Sequence, residues 1–301
     1  MKLIIHRGTN EIGGNCIEFD NGRKRIVFDI GLPLNAIDED LDISCYKPNI
    51  SGLFGEESGV AAVFISHAHP DHYGLLSLIN KNIPIYMSKA AAIILKKVVP
   101  LFGKENYADL NIIEISDGEE VRIDDFSVRA YEVDHSAAVA MAFEISGECK
   151  RILYSGEIRF HGRRAWRSQN LEDNVTLPDY LLLEGSTLGR EKQEQLTEYD
   201  VEKQLTELFA KPKLSLIVFS TQNIDRLVSV YNACVRQNKI LVLDPYSCAI
   251  LENLRKISPH LPQFGWNNIR IYFASNSITR KLAESGDLYH YKTAKVTFDE
   301  I

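Results

Sequence analysis

The sequence has no apolar run long enough to cross a bilayer, which leaves no candidate membrane helix. Its five cysteines, Cys16, Cys45, Cys149, Cys234 and Cys248, are odd in number and scattered, with no C-x-x-C pair. That pattern argues against a disulfide scaffold and a cysteine zinc knuckle, and for a reducing compartment. Met1–Ile5 is too short for the apolar core of a signal peptide and is closed at once by His6-Arg7, so a cytoplasmic protein without a membrane partner is expected. Positive charge is in deficit, with 34 Lys and Arg against 41 Asp and Glu and a net charge of −7. A chain coated for non-specific nucleic-acid binding is therefore disfavoured, although a local basic channel can coexist with an acidic total. Internal repeats and low-complexity tracts are absent too. With 301 residues, 45% of them hydrophobic and 25% charged, the chain has the make-up of an ordinary globular protein of one large domain or two.

Histidine is scarce overall, eight in all, yet three fall within Ser66-His67-Ala68-His69-Pro70-Asp71-His72. The apolar run Val60–Ile65 before this stretch reads as a buried strand, and Leu75, Leu76, Leu78 and Ile79 after it read as the first turns of a helix. The cluster thus sits on a strand-to-helix loop, where side chains can converge on an ion. Imidazole is the commonest nitrogen ligand of zinc, and carboxylate adds a harder oxygen. His67 and His69, two apart on an extended segment, can point the same way, while Asp71 and His72 can face a second ion. A polar surface loop that happens to be rich in histidine is the bland alternative, and the density of the pattern speaks against it.

Strands are expected at Leu3–His6, Asn15–Phe19 and Arg25–Ile30, the last two joined at Asn21-Gly22, a type I′ hairpin signal. Gly13-Gly14 marks a tight bend; a phosphate cradle would need a following helix, which is missing. The loop Asn35–Gly59, acidic at Asp38-Glu39-Asp40 and Asp42, reads equally well as a substrate rim or as a solvated loop. A strand Ile83–Met87 and a helix Lys89–Val98, ended by Pro100, come next. Strands Ile112–Ile115, Phe126–Val133, Val139–Ile145 and Arg151–Tyr154 follow. Two of these run into candidate ligands, His135 and Glu157. A lone His or Glu after a strand is more often plain surface, but strand ends on one rim of a sheet are how a metal site gathers distant ligands. Ile158–Arg167 carries Arg159, His161, Arg163, Arg164, Trp166 and Arg167, suited to gripping phosphate and stacking a base, or else to lying solvated. From about Leu196 helices and strands alternate, the mark of a parallel sheet with crossover helices, with strands at Leu214–Phe219, Ile240–Leu243 and Ile269–Phe273.

His67-Ala68-His69-Pro70-Asp71-His72 resembles the signature of the metallo-β-lactamase fold superfamily. The resemblance implies a four-layer αββα sandwich with one or two metals, the first held by His67, His69 and His135, the second by Asp71, His72 and a bridging Glu157. The superfamily bridge is normally Asp, and the extra methylene of Glu157 moves its carboxylate by about 1.5 Å. Phe219-Ser220-Thr221-Gln222-Asn223-Ile224-Asp225-Arg226 looks like the opening of a beta-CASP domain. Leu183-Glu184-Gly185-Ser186-Thr187 resembles that family's first motif, which makes Glu184 a catalytic candidate beside Asp71, the proton acceptor. The matches extend from Met1 to about the Ser277 helix and point toward ribonuclease J and the cleavage-and-polyadenylation endonucleases. Two further histidines of that family have no convincing counterpart, since neither His260 nor His290 stands in the expected motif. Because the sequence stops at Ile301, before a sandwich could close, a C-terminally truncated chain is expected.

The expected fold class is α/β: a metallo-β-lactamase-like αββα sandwich over residues 1–195, then a partial beta-CASP α/β domain with a parallel sheet over 196–301. The expected function is metal-dependent hydrolysis of phosphodiester bonds in RNA or single-stranded DNA by a metal-activated hydroxide. Zinc is favoured by the imidazole count, with manganese as the alternative, and a homo-oligomer is allowed for. Two other functions remain open: a small-molecule metallo-hydrolase acting on a thioester or lactone, and a metal- or RNA-binding module without turnover.

Overall fold

The structure is a computed structural model that describes residues 1–36, 42–55, 59–102, 107–189, 191, 195–274, 277–286 and 288–300. Asp38-Glu39-Asp40 lie outside the described residues. The chain is α/β and divides into two compact units: Met1–Ala92, Asn106–Phe160 and Arg164–Lys192 in the first, and Ile93–Glu105, His161–Arg163 and Gln193–Ile301 in the second. No described helix is long and apolar enough to cross a membrane.

The first unit holds two sheets. One is formed by β1 (Lys2–Arg7), β2 (Cys16–Asp20), β3 (Arg25–Phe28), β4 (Ala62–Phe64), β5 (Ile85–Ser88) and β6 (Ile112–Ile115), in that order. β1 to β3 run antiparallel and β3 to β6 parallel. The other sheet takes β7 (Glu120–Ile123), β8 (Phe126–Val133), β9 (Ala140–Gly147), β10 (Lys150–Tyr154) and β11 (Tyr180–Leu182), with only β10 and β11 parallel. Period-two alternation turns one face of each sheet toward the other. Phe28 stacks on Phe64 at 5.0 Å, and Phe143 from β9 meets both edge-on at 5.3 and 5.7 Å. Phe19, Ile26, Phe126, Val128 and Ile145 complete this dry layer. Aromatic pairs in such a layer add about 0.5–1.5 kcal/mol each beyond the area they bury. The opposite face of the second sheet, Tyr131, Val133, Ala140, Ala142 and Leu153, is covered by Leu171.

Local structure departs from expectation at five places. The β2–β3 turn has four residues, with only Gly22 at positive φ (81°); Asn21 Oδ1 accepts from the Arg23 and Lys24 amides, so an Asx-type loop replaces the type I′ turn, which needs positive φ at both central positions. After the histidine cluster there is no continuous helix but one turn, α1 (Pro70–Tyr73), then a 3₁₀ turn at Leu76–Leu78. Pro100 does not end the following helix. α2 (Lys89–Ile93) passes through a π turn (Ile94–Val98) into α3 (Val99–Phe102), and the Val99 amide reaches back five residues to Ile94 O. The wider turn absorbs the proline ring and its missing donor. β7 was not expected. Leu214–Phe219 pairs with no strand among the described residues, and Leu216 and Val218 are 89% and 99% exposed.

The helices α4 (Ala165–Gln169) and α5 (Leu171–Asn174) belong to the first unit. In the second, α6 (Glu198–Phe209) opens on a Thr197–Asp200 capping box and α7 (Ile224–Arg236) on Asn223, whose side chain accepts from the Arg226 amide. A parallel sheet of β12 (Leu241–Leu243), β13 (Ile269–Tyr272) and β14 (Lys295–Val296) follows with α8 (Pro245–Leu254), α9 (Ser277–Ser285) and α10 (Leu288–Tyr291).

Candidate metal centre

β3 and β4 are parallel neighbours, so their C-terminal ends share one edge of the first sheet: Asp29 follows β3 and Ser66-His67 follow β4. β8 and β10 flank the antiparallel β9, so His135 and Glu157, which follow them, also share an edge. The Met141 amide at the start of β9 donates to Ser66 O at 2.9 Å and ties the two edges together. α1 then turns the chain: Pro70 at its first position is already bent for a helix, and His69 stands at the N-cap. The exposed carbonyls of this turn are taken by neighbours, with Leu32 N donating to Pro70 O, Gly14 and Asn15 N to Asp71 O, and Ile30 N to His72 O, at 2.8 to 3.3 Å.

Two donor groups result. His67, His69, His135 and Glu157 form one, and Asp71, His72 and the same Glu157 form the other, the donor atoms of each lying within 4.8 Å of one another. Glu157 Oε2 is 2.9 Å from His135 Nε2 and 3.7 Å from His67 Nε2, while Oε1 is 3.3 Å from His72 Nε2. Its longer side chain therefore turns one oxygen to each group. His72 Nε2 is buried, 3.8 Å from Asp71 Oδ2, and has no hydrogen-bond partner among the described residues. A divalent cation is what such an atom fits.

Asp29, in the left-handed region at φ 55°, is fully buried. Oδ1 accepts from the Ser66 amide at 2.8 Å; Oδ2 accepts from Ser66 Oγ, His72 Nδ1 and Tyr154 OH at 2.9, 2.8 and 2.5 Å. With its proton committed to Asp29, Ser66 Oγ is left to accept from His67 Nδ1 at 3.0 Å. One carboxylate thus holds His67 and His72 in the tautomer that leaves Nε2 available to a metal.

Burial and its three neighbouring imidazoles hold His67 well below the usual histidine range. The same two causes bring His69 to about 3. Burial also pulls His72 down, but the Asp29 and Glu157 carboxylates outweigh it and hold His72 at about 10. Burial raises Asp71. For Glu157 burial acts upward, yet the adjacent His135 and His72 imidazoles win and hold it well below the carboxylate range.

The other expected site residues fall elsewhere. Glu184 is exposed and accepts from Ser186 Oγ at 3.0 Å and from the Ile158 amide at 3.4 Å, with no histidine bonded to it among the described residues. The Arg-rich stretch is not a free cationic strip. Arg159 pairs with Asp134 at 3.3 Å, Arg164 with Glu132, and Arg167 with Asp117 and Glu132. In the second unit Arg163 pairs with Glu202 and covers the Tyr199 ring, and His161 buries an unpartnered Nδ1. Partly buried guanidinium groups need such acids, so their charge is spent inside the fold. Trp166 alone of these is half exposed, with Arg167 over its ring at 4.3 Å. His260 and His290 also belong to the second unit, His290 paired with Glu252 at 2.7 Å. Asp29 and Tyr154 were not anticipated. An acid closing an apolar strand two residues before a glycine, Asp29-Ile30-Gly31, was the available signal for the first.

Residues 50–220, more than half of the chain, match the Beta-lactamase superfamily domain, and the chain belongs to that superfamily. Among curated relatives, Ribonuclease J of Mycoplasma genitalium is 27% identical over 269 residues, covering 85% of this chain and 46% of that protein. Probable RNase MJ4 of Methanocaldococcus jannaschii is 23% identical over 256 residues, covering 77% of this chain and 56% of that protein. The chain spans about half the length of these relatives. A crystal structure of a protein of unknown function from Enterococcus faecalis V583 shares the fold over 99% of this chain and 73% of its own, at a TM-score of 0.77 and 20% identity. Superfamily and donor set together imply a divalent metal.

The two groups should respond differently to pH. A metal entering beside His72 must displace the proton that His72 holds below about pH 10, whereas His69 carries none to displace above about pH 3. The affinity of the Asp71–His72–Glu157 group should therefore rise with pH, by up to about tenfold per unit, with release of at least one proton per ion at pH 7. Calorimetry in buffers of different ionisation enthalpy measures that release, and none at pH 7 would contradict it.

Proposed function

We propose that this chain carries the catalytic metal centre of a ribonuclease, a zinc-dependent hydrolase that cleaves phosphodiester bonds of RNA. The observation that carries this is the pair of donor groups sharing Glu157 at the joined edges of two sheets, in a chain similar to proteins named Ribonuclease J. His67, His69 and His135 would hold one ion, Asp71 and His72 the other, with Glu157 between. Zinc suits four imidazoles; manganese would suit the carboxylates. Ions bound there would activate water and offset the charge gathering on a phosphate.

The chain's own groups do the rest. Asp29 fixes the tautomers of His67 and His72. Asp71, whose proton affinity burial has raised, sits where it can take a proton from attacking water. Trp166 is available to stack on a base, a role for which the paired arginines are less suited. Residues 1–195 would form the metallo-β-lactamase-like domain and 196–301 part of a beta-CASP domain.

The test is cleavage of end-labelled single-stranded RNA by chelator-treated protein, with and without added zinc or manganese, beside arms with single-stranded DNA and with a thioester and a lactone. Metal-restored RNA cleavage is expected. Hydrolysis of the thioester or lactone alone would replace this function by the small-molecule one, and stoichiometric metal without turnover on any substrate would leave a binding module.

A further inference from the structure

Tyr154 is a buried tyrosine at the end of β10, 5% exposed, whose side chain reaches from the second sheet into the supports of the metal loop. Its hydroxyl donates to Asp29 Oδ2 at 2.5 Å, the shortest of the bonds that carboxylate accepts. That carboxylate in turn takes the Nδ1 proton of His72, a member of the second donor group whose chain neighbour Asp71 is another. The third member, Glu157, lies three residues along the same strand exit, past Gly156. A Cβ on Gly156 would stand 2.9 Å from Ser66 Cβ, so the exit is pressed on the loop it faces. The three ligands come from two loops far apart in sequence, and the Tyr154 hydroxyl, on the strand that delivers Glu157, bonds the carboxylate that holds His72 on the other loop.

We propose that Tyr154 is a positioning residue for the Asp71–His72–Glu157 group, holding the two loops in register so that the three donors meet one ion. The inference rests on the metal-centre reading above and concerns the second group, since His67 is linked to Asp29 only through Ser66 and His69 and His135 do not touch the Tyr154 hydroxyl. It is distinct from a core role, because the ring packs among Phe28 and its neighbours whether or not the hydroxyl is there.

Tyr154→Phe keeps the ring and deletes the hydroxyl. Zinc titration of the full chain, followed by calorimetry and by elemental analysis after dialysis, should show the tighter step unchanged and the weaker step 10–100-fold weaker, the usual cost of losing such an outer partner. Tyr131→Phe removes another buried hydroxyl, one that bonds Glu144 and Asn174 O, and should move neither step. In the metal-free protein, the imidazole Nδ1 proton of His72 should exchange with solvent at least tenfold faster in Tyr154→Phe. An unchanged weaker step and unchanged proton exchange would overturn the proposal, as would an equal loss in both steps or the same loss in Tyr131→Phe. If wild-type protein takes up no metal, the metal-centre reading falls, and the exchange rate of the His72 proton still decides the role of Tyr154.

Discussion

Gly31→Ala should dismantle the metal loop. A Cβ at Gly31 would lie 1.6 Å from Asp71 O, 2.3 Å from Asp71 C and 2.9 Å from His72 N, all of them backbone atoms that cannot swing aside. Relief requires the β3 exit or α1 to move. Both are clamped, because Ile30 N donates to His72 O, Gly31 N to Asn15 O and Leu32 N to Pro70 O, at 2.8 to 3.0 Å. Overpacking a close contact typically costs about 1–3 kcal/mol, and each backbone bond broken adds about 1 kcal/mol. The melting temperature should therefore fall by roughly 10 °C or more. The weaker zinc step should vanish, since Asp71 and His72 lie at the point of collision. Gly22→Ala is the comparison. Gly22 has the positive φ, 81°, that Gly31 lacks, but a Cβ there meets nothing within 4 Å, so only the backbone preference is lost, about 1 kcal/mol. Thermal melts of both variants, with zinc titration of each, check this. Equal losses in the two would mean that the close approach of Gly31 to Asp71 does not matter.

The parts of the site written close together were legible from residue order alone. His67, His69, Asp71 and His72 lie within six positions, and their spacing on a strand-to-helix turn leaves few ways to point them. His135 and Glu157 were legible at one remove, because both follow apolar strands and strand ends on one rim converge. What escaped was the layer behind them. Asp29 meets His72 across 43 residues and Tyr154 across 125, and nothing in the local pattern of either strand signals so distant a partner. A tyrosine closing an apolar strand looks like core, which Tyr154 also is.

The fold shows the same division. Alternating strands such as Phe126–Val133 were visible because burial on one face writes a period of two into the sequence. Leu214–Phe219, a near-continuous apolar run, forms no ladder among the described residues and leaves Leu216 and Val218 exposed, since apolar composition does not record which backbone groups are paired. Pro100 likewise reads as a stop, yet the π turn before it makes room for the ring. The arginines after Glu157 looked like a grip for phosphate only while their acidic partners, Glu132 in β8, Asp134 just after it and Glu202 on α6, were distant letters.

Removing Glu157 should cost more metal than removing any one histidine, because it belongs to both donor groups. His67→Ala takes one imidazole from the first group and leaves Asp71, His72 and Glu157 untouched. The first step should then weaken on the order of 10²-fold or more, as expected when one of four ligands sharing about 10–16 kcal/mol is lost, while the second survives. Glu157→Ala deletes an oxygen from each group and also the charge that faces His72 and His135, at 3.3 and 2.9 Å. Both steps should weaken by a comparable factor, and RNA cleavage should fall with them. Glu157→Asp separates charge from reach. It keeps the carboxylate but draws it back by about 1.5 Å, so it should retain the first ion, for which three imidazoles remain, and lose affinity for the second, which has only Asp71 and His72 besides. Elemental analysis after dialysis, with two-step zinc titrations of the three variants, distinguishes these outcomes. Undiminished metal in His67→Ala would remove that residue from the site. A Glu157→Ala protein that loses only one step would show that its two oxygens serve a single ion.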